Sequence, residues 1–318
     1  MALIETRGLK KYFPTPKGML HAVDDVNITI EEGHTLGVVG ESGCGKSTLG
    51  RTLIHLHEAT DGQVFFNGKD ITRVKGKELK ELREQVQMIF QDPYSSLDPR
   101  KTVKDTISEP LIISKRFTKK QIEEETDRIM ELVGIDQRLK NAYPHELDGG
   151  RRQRVGIGRA LALNPKFIVC DEPVSALDVS IQAQVLNLLM KLQREQKLTY
   201  MFVTHDMSVV KHISDEICVM YLGQVVELCP TKELFKNPLH PYTQALLAAI
   251  PSTDIHNPKK KEILSGELTS PINPAPGCRF CARCKYASEA CHQKQHLEEV
   301  SPGHFVSCHK ALEIHSEK

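Results

Sequence analysis

Apolar and polar residues alternate with the short period of β-strands over the N-terminal part of the chain. The run at 35–39 has no charged residue and is apolar after Thr35, which is typical of a strand that is buried on both faces. An Asn67-Gly68 pair follows another apolar run and favours a tight turn. The strands predicted on this basis are residues 2–6, 21–23, 26–30, 35–39 and 63–66.

The period then lengthens to that of helices. Thr118, followed three residues later by Gln121, predicts a capping box at a helix start, and Asn164-Pro165 predicts a helix end. Strands that alternate with helices indicate an α/β core around a largely parallel sheet, with a helical insertion at about 92–156. The predicted helices are residues 77–87, most of 103–139, 152–163 and 179–195, and the intervening strands are residues 88–90, 167–170 and 200–203.

The glycine-rich run GESGCGKST at 40–48 directly follows the apolar strand 35–39. It fits the pattern G-x-x-x-x-G-K-[ST] in full, and a buried strand before it with a helix after it is the context that makes this motif specific. Gly43 and Gly45 allow the backbone to turn its N–H groups toward phosphate oxygens. Lys46 adds a positive charge, and the Ser47 hydroxyl is suited to bind Mg²⁺. The sequence therefore predicts a nucleotide-binding loop.

Composition and charge narrow the classes further. The formal net charge of +1 over 318 residues gives no reason to expect nucleic acid as a partner. No apolar stretch approaches the roughly 20 residues that span a bilayer, and the N-terminus lacks the apolar region of a secretory signal. We therefore expect a chain that stays in the cytosol.

Four polar residues downstream of the loop stand where catalytic groups of a nucleotide hydrolase are expected. Asp171 and Glu172 close the apolar strand 167–170, so Asp171 is a candidate for holding Mg²⁺ and Glu172 for polarising the attacking water. Gln91 follows the strand 88–90 and is suited to contact both metal and water. His205 follows the strand 200–203 and is suited to bind the terminal phosphate.

This ordered set of motifs resembles the nucleotide-binding subunits of ABC transporters over essentially the whole chain. The resemblance implies an α/β P-loop NTPase fold with a RecA-like core, an antiparallel β subdomain, a helical subdomain and a small Cys-rich C-terminal extension. It also implies that Tyr12 stacks on adenine and that two subunits form a head-to-tail dimer around ATP and Mg²⁺. The corresponding segments are the Walker A loop with Gly43, Cys44, Gly45, Lys46, Ser47 and Thr48, the Q-loop at Gln91, the signature loop at 147–151, the Walker B strand ending at Asp171, the D-loop at 175–178 and the H-loop at His205.

A finer resemblance is to the ATPases of oligopeptide and dipeptide importers. The stretches 91–100, 175–184 and 237–247 carry it, and residues 9–14 favour the F-type over the D-type subunit. It implies a D-type ATPase subunit as heterodimer partner, two permease subunits, an extracytoplasmic peptide-binding protein and a place on the cytoplasmic face of the membrane. Nickel is the alternative cargo. The domains expected are 1–91 with 157–234 for the core, 92–156 for the helical part and 235–318 for the extension. After about residue 234 the composition turns Pro- and Lys-rich, through 257–261, which predicts a linker into the Cys-bearing tail.

Two rival classes are less consistent with the sequence. Soluble ABC ATPases that act on ribosomes or DNA usually carry two cassettes or a long coiled-coil insertion, and this chain has neither. An iron–sulfur electron carrier would need more chain around its cysteines. We therefore expect a transport ATPase.

The signature loop departs from the family pattern. The family has Leu-Ser-Gly-Gly-Gln, whereas this chain has Asp148 in place of Ser and Arg151 in place of Gln. An ionised Asp148 against the terminal phosphate would be repelled by about 4 kcal/mol at 4 Å and an effective dielectric of 20. Arg151 would offset part of this by pairing with Asp148 or with the phosphate. We expect weak ATP-driven dimerisation and slow hydrolysis by the chain alone.

Five of the nine cysteines lie between Cys278 and Cys308. In a cytosolic chain such a cluster suggests metal before disulfides, and its spacing leaves an iron–sulfur cluster and zinc both open. The importer family tends to keep Gly-Cys-x-Phe-x-x-Arg-Cys and two later cysteines. This resemblance implies a [4Fe–4S] cluster, with zinc as the alternative, and leaves Cys281 as the extra thiol. The ligands so implied are Cys278, Cys284, Cys291 and Cys308.

Overall fold

The computed structural model describes residues 1–92, 94–250 and 270–316. The predicted linker at 257–261 and Pro93 of the stretch 91–100 lie outside these residues. The chain divides into two compact units, and each is described by itself. The first unit is Met1–Arg73 with Phe202–Lys318, and the second is Val74–Met201. The division predicted from the sequence has different boundaries and stays a prediction.

The helices and strands alternate along much of the chain. The N-terminal part of the first unit contains β1 (Ala2–Thr15), β2 (Gly18–Val26), β3 (Thr29–Glu31), β4 (Thr35–Val39), α1 (Lys46–Leu53), β5 (Asp61–Phe66) and β6 (Lys69–Asp70). The second unit contains α2 (Gly76–Gln85), β7 (Val86–Ile89), α3 (Val103–Ser114), α4 (Lys119–Leu132), α5 (Gly149–Leu161), β8 (Phe167–Asp171) and α6 (Val179–Gln196), and β9 (Thr199–Val203) leads out of it. The rest of the first unit contains α7 (Met207–Ile213), β10 (Glu216–Tyr221), β11 (Gln224–Pro230), α8 (Thr231–Lys236), α9 (Pro241–Ala248), β12 (Glu298–Ser301), β13 (His304–Val306) and α10 (Ala311–Ser316).

Strand β1 organises the antiparallel sheet of the first unit. It pairs with β2, β3 and β5, and its pairing with β2 places Tyr12 opposite His21. The predicted turn at Asn67 and Gly68 joins β5 to β6, and both residues have positive φ, which suits a tight hairpin. The run predicted as one strand at 26–30 is divided between β2 and β3. Between them, the Asn27 side chain accepts a hydrogen bond from the N–H of Gly8.

A second set of strands in the first unit places the nucleotide loop. β4 is buried at every position and pairs in parallel with β10, so that Leu36 lies opposite Glu216. β10 then pairs antiparallel with β11, β11 with β13 and β13 with β12. The burial of β4 agrees with its mostly apolar sequence.

The second unit contains the parallel pair β7 and β8 and the helices α3, α4 and α5. The predicted capping box of Thr118 and Gln121 is present at the start of α4. Helix α5 begins at Gly149, before the predicted start at residue 152, because Asp148 accepts a hydrogen bond from the N–H of Arg151 and caps it. Within the described parts of the chain, no helix is both long enough and apolar enough to cross a membrane.

Candidate functional site

The glycine-rich loop of the first unit joins the end of β4 to the start of α1. Gly45 is the N-cap of α1, with φ of 105°, and Lys46 is the first helical residue. The Lys46 side chain is only 4% exposed. Its Nζ donates to the carbonyl oxygens of Gly40 at 2.8 Å and Glu41 at 3.0 Å. The ammonium group is therefore held against the loop, as binding of phosphate by this motif requires.

Two glycines of the loop have no room for a side chain. A Cβ on Gly45 would lie 2.0 Å from the carbonyl oxygen of Ala22, and one on Gly40 would lie 2.2 Å from that of Met220. A Cβ on Gly43 would meet nothing within 4 Å, and Gly43 has φ of +77°. The loop thus packs tightly on β2 and β10 while it stays open at Gly43, which is compatible with an anion that approaches the backbone there.

The Tyr12 ring stacks on the ring of His21 across the β1–β2 pair. Their centroids are 3.9 Å apart and their planes differ by 22°. The Tyr12 hydroxyl donates to Oδ1 of Asp24. Burial, followed by this hydrogen bond, raises the pKa of Tyr12 above its usual range, so the phenol stays neutral at physiological pH. A stacked neutral ring fits the adenine platform that the resemblance implies.

Two arginines near the C-terminus contact these elements, and the sequence reasoning did not identify them. Arg283 donates to both carboxylate oxygens of Glu41, at 2.8 and 3.1 Å, and Glu41 is the second residue of the glycine-rich loop. Arg279 donates to Asp24 and to the carbonyl oxygen of Leu222. A signal for Arg283 was present, since it is the arginine of the Gly-Cys-x-Phe-x-x-Arg-Cys pattern.

His205, the candidate phosphate-binding histidine, also belongs to the first unit. It is exposed and lies between the end of β9 and the start of α7. Thr204, just before it, is fixed by a hydrogen bond from its N–H to the carbonyl oxygen of Val38 at 3.1 Å. The backbone next to His205 is therefore tied to β4, the strand that leads into the glycine-rich loop.

Gln91, Asp171 and Glu172 belong to the second unit, at the ends of the parallel strands β7 and β8. Asp171 is 1% exposed. Gln91 donates from Nε2 to Oε2 of Glu172 at 2.8 Å. Glu172 has φ of 47°, a left-handed conformation that is unusual for a residue with a side chain and is typical of strained functional positions. The structure therefore brings the predicted base and the predicted Q-loop residue into contact.

The signature loop has a different geometry from the one expected for a free carboxylate. Oδ1 of Asp148 accepts the N–H of Arg151 at 2.8 Å, and Oδ2 lies 3.4 Å from Nε of Arg151. Both side chains are more than half exposed. Asp148 is thus engaged both as a helix cap and in an ion pair, and Arg151 screens part of its charge, as expected from the sequence.

The chain was compared with protein families, with curated proteins and with solved structures. It matches the family described as ABC transporter over residues 23–175, and the family described as Oligopeptide/dipeptide transporter, C-terminal region, over residues 226–291. It is 49% identical to the oligopeptide transport ATP-binding protein AppF of Bacillus subtilis, over 96% of this chain and 97% of the relative. It is 52% identical to OppF of Salmonella typhimurium, over 95% of this chain and 91% of the relative. It is 46% identical to the dipeptide transport ATP-binding protein DppF of Escherichia coli, over 96% and 93%.

Solved structures show the same fold. The chain is similar to the ATP-binding cassette MJ0796, solved as a dimer in a post-hydrolysis state bound to ADP and Pi. The TM-score is 0.66 and the identity 28%, over 72% of this chain and 98% of the cassette. CbiO1 from Clostridium perfringens is similar to the same degree, with a TM-score of 0.66 and 28% identity over 74% of this chain and 91% of that protein. The α/β P-loop fold predicted from the sequence is therefore confirmed.

The prediction of a [4Fe–4S] cluster is wrong. Cys278, Cys284, Cys291 and Cys308 line one pocket, which Cys281 does not, but the open volume is about 10 Å³. That is the space of about one water molecule, far less than a cluster of four irons and four sulfurs fills. In the part of the chain that the structure describes, no three of these thiols come within 4.8 Å of one another, so the structure gives no support to the zinc alternative either. The matching families and relatives are described by transport and ATP binding alone.

The pocket thiols are buried at Cys291 and partly buried at Cys278, Cys284 and Cys308, and we interpret them as small packing groups. Burial raises the pKa of Cys278 to about 12 and raises those of Cys284 and Cys308. They therefore carry a proton at neutral pH, and a protonated thiol is a weak metal ligand. Cys281 is partly buried as well, and its pKa is raised.

A different group of residues has its potential ligand atoms close together. Among the described residues, Glu227, Cys229 and His304 are the one set of three within 4.8 Å, and all are buried. The Glu227 carboxylate already accepts the N–H groups of Leu239 at 2.8 Å and His240 at 3.0 Å, and Nε2 of His304 at 2.8 Å. We interpret the group as a polar contact, centred on the Glu227 carboxylate, that joins β11, the start of α9 and β13. Within the described residues the buried Nδ1 of His304 has no hydrogen-bond partner.

Proposed function

Because this chain belongs to the ATP-binding proteins of oligopeptide and dipeptide ABC transporters, we propose that it drives peptide import by hydrolysing ATP. The observation that carries this is the identity of 46–52% to such proteins over nearly the whole chain, which includes the intact glycine-rich loop. The names of the relatives favour peptides over nickel, the alternative cargo considered from the sequence.

In the first unit we assign the nucleotide contacts to the glycine-rich loop and to Tyr12. Tyr12, already oriented by His21 and Asp24, stacks on adenine. The ammonium of Lys46 binds the outer phosphates, Ser47 is a magnesium ligand and His205 binds the terminal phosphate. The loop residues whose backbone surrounds the phosphates are Gly43, Cys44, Gly45 and Thr48.

In the second unit we assign Glu172 as the general base that activates the attacking water. Its carboxylate accepts the proton of the attacking water. The side-chain amide of Gln91 donates a hydrogen bond to this carboxylate and so orients the carboxylate. Asp171 and the side-chain oxygen of Gln91 are the metal-binding groups of this unit. Mg²⁺, when bound, neutralises the charge that develops on the phosphates.

The transporter needs further subunits. A similar solved cassette is a dimer, and an ABC importer needs a membrane-spanning pathway that this chain does not supply in its described helices. We assign it two permease subunits, an extracytoplasmic peptide-binding protein and a place on the cytoplasmic face of the membrane. The altered signature loop supports a D-type ATPase subunit as partner, because an intact signature loop from that subunit would complete the site at this chain's own glycine-rich loop.

We further propose the three-part division of the chain. The nucleotide core is 1–91 with 157–234, the helical subdomain is 92–156, and 235–318 forms a C-terminal extension. The match of residues 226–291 to the C-terminal region of this transporter family supports the extension.

The function is tested by uptake. The chain is co-expressed with its neighbouring permease and ATPase genes, purified in detergent and reconstituted into vesicles with its binding protein. We expect ATP-dependent uptake of a labelled tripeptide, and loss of that uptake with Lys46→Ala. Uptake of nickel without peptide uptake, or failure of the permeases to co-purify, would contradict the proposal.

A further inference from the structure

We propose that Arg279 and Arg283 are positioning residues for ATP binding, through which the C-terminal segment 270–316 fixes the glycine-rich loop and the Tyr12 platform. This rests on the proposed nucleotide site. Neither arginine was assigned a role from the sequence, and both side chains are almost fully buried, at 5% and 8% exposed.

Arg283 acts on the loop itself. Its two terminal nitrogens donate hydrogen bonds to the two carboxylate oxygens of Glu41, and Nη1 also lies 3.4 Å from the hydroxyl of Tyr221. The contact with Glu41 raises the pKa of Arg283, so the guanidinium group stays charged. A bidentate pair fixes direction as well as distance. The N–H of Glu41 in turn donates to the Tyr242 hydroxyl at 2.8 Å, so backbone and side chain of this loop residue are both held.

Arg279 acts on the platform. It donates to Asp24, the carboxylate that also receives the Tyr12 hydroxyl, so one carboxylate links the arginine to the aromatic ring. Its second contact is the carbonyl oxygen of Leu222. The next residue, Gly223, donates its N–H to the carbonyl of Cys44 in the glycine-rich loop and accepts the N–H of Asp24, each at 2.8 Å. Arg279 therefore supports the turn that lies between loop and platform.

The segment that carries the two arginines is anchored independently of them. Phe280 is 2% exposed and packs against the rings of Tyr221, Tyr242 and His240. Further along, Val306 and Ala311 form a small core with Leu239. These apolar contacts hold the backbone of the segment in place, so the two arginines are not needed to dock it. Their guanidinium groups are instead pre-organised to hold the nucleotide loop.

The experiment measures the Kd of the full chain for ATP with Mg²⁺ by titration calorimetry, together with the Tm without nucleotide. We expect Arg283→Gln and Arg279→Gln each to raise the Kd by about 2- to 30-fold, the range of a residue that acts through another. Arg283→Lys, which keeps the charge but loses the second hydrogen bond, should fall between Arg283→Gln and the wild type. If either Gln variant fails to fold, the Lys variant at the same position carries the test.

Two controls separate positioning from general stability. Arg128→Gln removes an equally bidentate pair, with Glu125 on α4, and should leave the Kd unchanged. Val306→Ala weakens the small core of the segment and should lower the Tm with the Kd unchanged. A double-mutant cycle of Glu41→Gln with Arg283→Gln should be non-additive in the Kd if the two act as a pair.

The outcomes are separable. Arginine variants that lower the Tm while the Kd changes by less than about twofold would refute the positioning role, because that is what a purely structural contact gives. An additive cycle would refute the pairing of Arg283 with Glu41. Failure of the wild-type chain to bind ATP would instead refute the proposed function.

Discussion

Gln91 donates its side-chain amide hydrogen to the carboxylate of Glu172 across 2.8 Å, although the two residues lie 81 positions apart. Glu172 also has a left-handed backbone, at a cost of about 1–3 kcal/mol that its surroundings must offset. The direction of the Glu172 carboxylate is thus fixed both by the backbone conformation of Glu172 and by the hydrogen bond from Gln91. A change in the position of Gln91 would therefore alter the orientation of the proposed base.

The first prediction concerns this base. Glu172→Gln should leave ATP binding intact and lower turnover by about 100-fold or more, because the groups that bind phosphate remain while the proton acceptor is lost. Size-exclusion chromatography with ATP should then show an accumulated dimer, with the D-type partner present. The control is Glu131→Gln, at an exposed position of α4. Turnover at the wild-type rate would remove Glu172 from the mechanism.

The second prediction concerns the signature loop. Asp148→Ser with Arg151→Gln should raise the ATPase rate and make it depend more steeply on protein concentration, because the carboxylate near the partner's phosphate is removed. Serine caps a helix about as well as aspartate, and an exposed ion pair contributes about 0–1 kcal/mol, so the Tm should change little. Rates of both versions are measured over a range of protein concentrations.

A matched pair of residues controls for this double substitution. Asp136 accepts the N–H of Arg138 and pairs with its side chain, as Asp148 does with Arg151, and both are exposed. Asp136→Ser with Arg138→Gln should leave rate and dimerisation unchanged. Equal rates at every concentration for the signature-loop variant would mean that Asp148 does not face the phosphate.

The third prediction concerns the packing of the glycine-rich loop. Gly45→Ala should lower the Tm and abolish ATP binding, since its Cβ would lie 2.0 Å from the backbone oxygen of Ala22. Gly33→Ala is the control: its φ is +78°, but a Cβ there meets nothing within 4 Å. It should cost only the backbone strain of about 1–2 kcal/mol. Equal losses of Tm in the two variants would show that strain alone, rather than the close approach to Ala22, explains the glycine.

The fourth prediction is a pH dependence of stability. Burial lowers the pKa of His240 from 6.5 to about 4, and Nδ1 accepts the N–H of Tyr242, which requires a neutral ring. Below pH 6.5 His240 is protonated in the unfolded chain, whereas in the folded chain it stays neutral until the pH falls to about 4. The free energy of unfolding should therefore fall by about 3 kcal/mol over this window, with about 2 kcal/mol of it lost by pH 5.

The variant His240→Asn isolates this group. Asparagine also caps a helix but does not titrate, so urea unfolding at pH 7.5 and at pH 5 should show a smaller loss than in the wild type. The variant should start from a lower free energy of unfolding at pH 7.5, because a buried ring has been removed. Parallel pH curves for the two proteins would contradict the assignment to His240.

The sequence located those elements whose signals are local. Strand β4 was predicted with the bounds that the structure has, because a short, mostly apolar run that ends at the glycine-rich loop admits little else. Helix α6 differs by one residue at its end. The start of α5 was missed because two glycines oppose helix formation, although Asp148 before them was a recognisable cap.

Contacts between distant parts of the chain were not predictable in the same way. Arg283 reaches Glu41 across 242 residues, and Arg279 reaches Asp24 across 255. The cysteine pattern led to a cluster that the structure does not support, since spacing says which thiols can meet but not how much room lies between them. The roles of Lys46, Ser47, Asp171 and His205 were inferred from the motifs and from their places after strands, and they stay predictions.

The pairing of β4 with β10 has a consequence for how the protein is made. Thr35, at the start of β4, donates its N–H to the side chain of Asp215, which lies 180 residues later in the chain. At about 5–20 residues per second, a ribosome needs roughly ten to forty seconds to supply that partner. During this time the edge of β4 that pairs with β10 has no partner, and an unpaired strand edge can associate with other chains. Synthesis rate and chaperone supply should therefore affect the yield of this chain more than the stability of the finished fold would suggest.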